Sequence, residues 1–366
     1  MREVSIRELR DLLQEMPLMA KIHPLSLAFL PEEVRIFQDA WQMAAELDSP
    51  SQQPTKPMLA TCIEPALLHR LSDICCIHNP LTTELNQVIL KRYSLIRENM
   101  FCQSQVADWI VKYADSDIIA LIMVDGLSYA DTLRYAPQEL AKAKPILVDG
   151  VSITEQGMMR IIGKPPLANR LFDIGYCDAI GFSYWGRNED PLTNRLFAGF
   201  GDQVCKVKSF DEVLKVLEDK AARGLYIQVV RNGLDGVAHQ YREKPNKEAI
   251  VMDVYRDYER LVQLFQKKGL SASVHLVSDH GILWTDEHAL KVYEFGRADH
   301  PRHYEYTKHS ENLLNVEFEG KEFSMLGYPF IRRELRSNEW GVHGGLSFEE
   351  SIAVWASYPI RKEKIE

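Results

Sequence analysis

From Asp117 onward, short apolar runs rich in β-branched residues alternate with amphipathic segments. The runs are Ile118 to Val124, Pro145 to Val148, Ala179 to Tyr184, Leu225 to Val230 and Ser273 to Val277. Between them, Pro166 to Ile174, Ser209 to Ala221 and Asn246 to Lys268 carry helical periodicity, the second opened by a Ser209/Glu212 capping box and the third closed by Gly269. Continuous apolar strands alternating with helices predict an α/β fold, a mainly parallel sheet sandwiched by helices. Residues 304–325 break the rhythm, and Val316 to Phe323 reads as a hairpin turning at Gly320, a β-rich insert near the site.

The first hundred residues read as helical. Ser5-Ile6-Arg7-Glu8 is a capping box, Pro31 opens a second helix through Trp41, and Thr83 to Met100 and Gln103 to Tyr113 follow as further helices. Asp48 to Pro57 interrupts periodicity with prolines and small polar residues and reads as a linker. The division expected is a helical accessory region, 1–112, offering a surface to a protein partner, and an α/β domain, 113–366.

A length of 366 residues suits one large α/β core plus that accessory region. The net charge of -9 argues against broad non-specific duplex binding, which needs lysine and arginine to replace counterions, but leaves a small nucleotide substrate open, because bound divalent ions would reverse the local field. Met1 to Arg10 is charged and lacks an apolar core, and Ile118 to Val124 is too short to cross a bilayer. The six cysteines follow no disulfide framework. A cytoplasmic protein without a membrane segment is the expectation. His69, Cys75, Cys76 and His78 cluster without zinc-finger spacing and read as ordinary side chains.

In an open α/β sheet, ligands bind beyond the carboxyl ends of the strands. Acids stand there: Asp125 after the first run, Asp235 after the fourth and Asp279 after the fifth, followed by His280. His239 lies four residues after Asp235, one helical turn, and His343 sits between glycines in Gly341-Val-His-Gly-Gly345. Mixed Asp/His donors suit zinc or a similar borderline metal, and these six suffice for two ions. One run instead leads into hydroxyls, Ser152 and Thr154, at a strand-to-helix junction where backbone N–H groups and the helix dipole favour a phosphate. Coordination would lower a hydroxyl pKa and make it a nucleophile. Simpler readings stand beside these: Asp125-Gly126 as a strand-ending turn, and Ser152 with Glu155 as a capping box with Thr154 merely polar. Ser152 is the rival nucleophile.

The ordered set Asp125, Thr154, Asp235-x-x-x-His239, Asp279-His280 and His343 resembles the metal and nucleophile series of the alkaline-phosphatase superfamily, and His343-Gly-Gly-Leu-Ser-Phe-Glu-Glu350 resembles the PglZ domain. The resemblance spans about Asp117 to Pro359. It implies two divalent ions, Zn2+ or else Mn2+, one held by Asp235, His239 and His343, the other by Asp125, Asp279, His280 and the Thr154 hydroxyl. It further implies Thr154 as nucleophile, a phosphodiester or other small phosphate ester of nucleotide type as substrate, and an association with phage defence or signalling. Glu155-Gln156 departs from the Thr-x-Pro order common in the superfamily, and no Cys-x-Pro-x-Arg segment supports sulfatase chemistry.

Outside this series, His275 in an apolar run is expected to be a core residue, and His288, His300, His303 and His309 either line the substrate cleft or, as the simpler reading, are solvated loop residues. Arg187 and Asn188 follow a strand end, where a phosphate oxygen could be held, although an ordinary surface arginine is the simpler reading. The competing function classes are a phosphomonoesterase on the same fold, and a non-catalytic assembly component whose ions are structural.

Overall fold

The computed structural model describes residues 81–137, 143–185, 191–220, 223–240, 243–294 and 299–361. The Ser5 capping box, the Pro31 helix, the 48–57 linker, the cluster His69, Cys75, Cys76 and His78, and Arg187 and Asn188 lie outside the described residues.

Helix α1 (Leu81–Asn99) and helix α2 (Val106–Lys112) lead into β1 (Ile118–Asp125), followed by α3 (Tyr129–Tyr135), β2 (Lys144–Leu147), α4 (Thr154–Ile162) and α5 (Leu167–Asp173). Next come β3 (Asp178–Ser183), α6 (Pro191–Leu196), β4 (Val204–Lys206), α7 (Phe210–Glu218), β5 (Leu225–Asn232), α8 (Asp235–Gln240), α9 (Lys247–Lys267) and β6 (Ala272–Ser278). Short strands β7 (Leu283–Trp284), β8 (Lys291–Val292) and β9 (His303–Tyr304) precede the hairpin β10 (Leu313–Phe318) and β11 (Lys321–Leu326). The chain closes with β12 (Phe330–Ile331), β13 (Gly341–Val342), the single turn α10 (Phe348–Ser351) and β14 (Ile352–Ile360).

The main sheet has seven strands in the order β2-β14-β6-β1-β5-β3-β4. Strands β6, β1, β5, β3 and β4 run parallel, whereas β14 pairs antiparallel with both β2 and β6. Side chains alternate between faces along a strand. Thus Ile118, Ala120, Ile122 and Val124 of β1 pack with Ile89 and Ile96 of α1, Val213 of α7 and Val254 and Leu261 of α9. Ile119, Leu121 and Met123 pack on the other face with Ile110 of α2, Met158 and Ile161 of α4 and Leu171 of α5. Helices therefore cover both faces, which is why these strands are apolar throughout.

Helix α9 begins as read: Asn246 Oδ1 accepts from the Ala249 N–H at 3.1 Å, and Gly269, at φ +62°, follows its end. Neither proposed capping box in the described residues forms in full. Glu212 accepts from the Lys208 N–H at 3.2 Å, but the Ser209 side chain caps nothing. Helix α4 is preceded by Ile153, without a side-chain cap, because Ser152 is buried and committed elsewhere. The hairpin turns at Glu319-Gly320 and joins β9 in a three-stranded sheet. Arg195 pairs with Glu319 at 2.9 Å and also with Glu155, so the hairpin tip is tied to the first turn of α4. No described helix is long and apolar enough to cross a membrane.

Candidate metal centre and nucleophile

The carboxyl ends of the central strands bring the acids together. Asp125 ends β1, and Asp279 directly follows β6, its parallel neighbour. Asp235 opens α8 three residues after β5, on the opposite side of β1. Asp279 Oδ1 is occupied, accepting from the N–H groups of Gly126 at 2.9 Å and His280 at 2.8 Å, while Oδ2 is buried without a hydrogen bond.

Two donor groups result. Asp235 Oδ1 lies 3.2 Å from His239 Nε2 and 3.1 Å from His343 Nε2, one helical turn and one loop away. His280 Nε2 lies 3.6 Å from Asp279 Oδ2 and 3.8 Å from Asp125 Oδ1. The His280 and His343 rings stack with centroids 4.2 Å apart, so the two groups are adjacent. Within each group the ligand atoms lie within 4.8 Å of one another.

The ring orientations fit metal binding. His280 Nδ1 faces the Gly281 carbonyl at 3.1 Å and His343 Nδ1 the Ser152 carbonyl at 2.8 Å. A carbonyl only accepts, so Nδ1 carries a proton and each Nε2 is left facing the carboxylates, as a lone pair for a cation or, on the cation-free His343, as a second N–H toward Asp235; a backbone partner of this kind orients a ligating imidazole. Converging lone pairs on buried, unbonded carboxylate oxygens are what a cation would satisfy and what a hydrogen-bonded core would not leave.

Thr154 is the first residue of α4, and its Oγ1 is 3.2 Å from both Asp125 Oδ1 and His280 Nε2. Ser152 occupies a different position: fully buried, its Oγ donates to the Gly345 carbonyl at 2.8 Å and accepts from the Gly344 N–H at 3.0 Å. Its hydroxyl is spent on holding the His343 loop, so the rival nucleophile becomes a scaffold.

Several supporting residues have no local sequence signal. Gln103 Nε2 donates to the carbonyls of Ser278 and Asp279, at 2.8 and 2.6 Å, fixing the end of β6. The buried Arg302–Glu350 pair, 2.6 Å between Nη2 and Oε2, also receives the Gly345 N–H on Glu350 Oε1 at 2.9 Å. Gly157 lets α4 touch the strand end, because a Cβ there would meet the Asp279 carbonyl oxygen at 2.3 Å. Gly157→Ala is therefore expected to push Thr154 off its partners, lowering stability by about 1–3 kcal/mol and turnover on the order of 10²-fold. Unfolding and kinetics measured on one preparation check this, and unchanged turnover would argue against tight positioning.

His275 is the core residue expected, stacked on Trp355 with centroids 5.4 Å apart and 3.1 Å from Ser273 Oγ; burial pulls it down to about 3. His288 and His303 depart from the expectation of solvated loop residues. Tertiary packing buries both, His288 against Glu349 at 3.1 Å and His303 against the Gly344 backbone.

Without a cation the centre is electrostatically strained. Burial, then repulsion from Asp235, pushes the Asp125 carboxyl well above the usual range; Asp279 is likewise raised, by burial first. Burial opposes ionisation of Asp235 too, but the neighbouring His343 and His239 outweigh it and hold that carboxyl well below the usual range. His280 is lowered to about 3 by burial and His343, whereas Asp235 overcomes burial to raise His343 to about 9.

A group raised in the folded state contributes stability below its unfolded value and loses it as pH rises through the folded value. For His343 this window runs from 6.5 to about 9. Asp125 and Asp279 act with the same sign, while Asp235 loses its contribution only in acid. Histidines lowered by burial have completed their gain by roughly pH 7.5. Chelated protein is thus expected to lose stability from there to pH 9, and His343→Gln to flatten that slope in urea titrations. A wild-type slope that is flat, or matches the variant's, would contradict the assignment.

No protein-family model matches the sequence, and no curated protein matches it. Solved structures do. Murine ectonucleotide pyrophosphatase/phosphodiesterase 5 aligns at 12% identity and TM-score 0.43, over 67% of this chain and 89% of that one. The C-terminal periplasmic domain of phosphoethanolamine transferase EptC from Campylobacter jejuni aligns at 13% identity and TM-score 0.34, over 66% and 79%. The corresponding EptC domain from Escherichia coli, in complex with Zn, aligns at 14% identity and TM-score 0.30, over 46% and 64%.

Proposed function

We propose that this chain is a metal-dependent phosphohydrolase of the alkaline-phosphatase superfamily, in its PglZ branch, cleaving phosphodiesters of nucleotide type with Thr154 as nucleophile. The observation that carries the reading is the Thr154 hydroxyl, 3.2 Å from Asp125 Oδ1 and from His280 Nε2, at the first residue of a helix. Asp235, His239 and His343 would hold one divalent ion, and Asp125, Asp279, His280 and the Thr154 hydroxyl a second, both of the zinc class with manganese as the alternative. When bound, such ions supply Lewis acidity toward phosphoryl oxygens and lower the pKa of a hydroxyl and of water.

The chain's own residues do the rest. The Thr154 proton has Asp125 Oδ1 as an acceptor in reach. Thr154 Oγ1 then forms a bond to phosphorus as the bond to the leaving oxygen breaks, and the leaving alkoxide is protonated from solvent. The first N–H groups of α4 have no partner four residues back and face the negative charge gathering on the phosphoryl group. Water attacks the resulting phosphothreonine, restoring the hydroxyl and releasing the phosphate product. A cytoplasmic setting accords with the free thiols of Cys177 and Cys205 among the described residues. A part in phage defence or signalling follows from the family association alone.

Turnover of bis-nitrophenyl phosphate against nitrophenyl phosphate, with zinc or manganese supplied, tests the substrate class. Preference for the diester is the expected result, and preference for the monoester would make the chain a phosphatase on the same fold. Bound ions with neither ester cleaved would instead favour an assembly component.

A further inference from the structure

We propose that His300, His303 and Glu305 form a separate divalent-cation site, of the zinc class, beside the His343 loop. None of these donors belongs to the two groups around Asp235 and Asp279, yet their ligand atoms also lie within 4.8 Å of one another. His300 Nε2 is 3.5 Å from Glu305 Oε1, and the His300 ring stacks on that of His303 with centroids 4.5 Å apart.

His303 is the residue that demands a ligand. Its side chain is buried at 1% exposure, and neither ring nitrogen has a hydrogen-bond partner. A neutral imidazole carries one donor and one acceptor, and buried polar atoms are ordinarily paired. Its backbone, by contrast, is fixed: His303 pairs with Met325 of β11, and its carbonyl accepts from Arg332 Nη1 at 2.5 Å. Arg332 Nη1 also reaches the His300 carbonyl at 3.4 Å, so one guanidinium ties both histidine backbones together. The Arg332 charge rests on those carbonyls and over the Tyr304 ring at 4.0 Å.

His303 starts β9 and Glu305 lies just beyond its end, in a bend. Two imidazoles and one carboxylate are the donors of open zinc sites, in which a fourth position stays free for an oxygen ligand. All-oxygen sites favour calcium or magnesium, and this set does not. Gly344, next to His343, borders the His303 ring so closely that a Cβ there would lie 2.5 Å from Nδ1. The site therefore borders the loop that carries His343.

His300 and Glu305 are well exposed, with side chains 49% and 67% accessible, so His300→Ala/Glu305→Gln can be made without touching the core. Zinc content after equilibration with zinc and removal of the excess, read by mass spectrometry, is expected to fall by one equivalent per chain in this variant. The same loss is expected in an Asp235→Asn/Asp279→Asn background, which separates this site from the proposed catalytic ions. Equal zinc in the parent and the His300→Ala/Glu305→Gln variant, in either background, would overturn the proposal.

Discussion

Thr154→Ala is expected to lower kcat by at least about 10³-fold, because it removes the only atom proposed to bond phosphorus. Thr154 opens α4, and its side chain fills no core position, so folding should be retained. Thr154→Ser, which keeps the oxygen, should recover a measurable fraction of the rate. Mass spectrometry of acid-quenched turnover should find phosphate on Thr154 in the wild type and none in the alanine variant. Ser152→Ala provides the contrast. It leaves the nucleophile intact but frees the Gly344 N–H and the Gly345 carbonyl, so its effect should appear as lower stability and weaker metal binding. A phosphorylated Ser152, or a Thr154→Ala enzyme of near wild-type rate, would reverse the two roles.

The largest stability effect is expected from Glu350→Gln. Glu350 and Arg302 are wholly buried and meet in a two-pronged ion pair, Nε to Oε1 at 3.0 Å and Nη2 to Oε2 at 2.6 Å. Losing one charge leaves the other buried and unpaired, at a cost of about 3–5 kcal/mol. Arg302 also donates to the Phe330 carbonyl, so the damage should spread to the segment leading toward His343. Because Glu350 Oε1 holds the Gly345 N–H, the variant should bind zinc more weakly as well as unfold earlier. Adding Arg302→Met should recover part of the stability, since the double variant leaves no orphan charge, but not the zinc affinity. Urea unfolding with a zinc titration checks both halves, and a loss below about 1 kcal/mol would show that water reaches the pair.

The parts of the fold governed by local pattern were legible in the sequence. β1, β2, β3, β5 and β6 are continuous apolar runs because helices bury both faces, and the ends of β1, β5 and β6 carried the acids. β14 escaped that reading: it issues directly from the turn α10 and contains Pro359 near its end, a residue that argues against a strand placed inside a sheet. The candidate ligands were legible as strand-end acids and histidines. What orients them was not. Ser152 reaches Gly345 across 193 positions and Arg302 reaches Glu350 across 48, distances at which no periodicity speaks. His303 was obscured by its polar neighbours Asp299, His300 and Arg302, and the approach of Gly344 and the Phe323 ring buries it.

The most direct measurement of the central claim is the metal content of protein purified without chelator, compared between wild type and Asp235→Asn/Asp279→Asn. The account predicts that the wild type carries two more equivalents of zinc or manganese per chain than the variant, and that the variant no longer turns over bis-nitrophenyl phosphate. Equal metal content in the two proteins, with either ion supplied in excess and then removed, would contradict it.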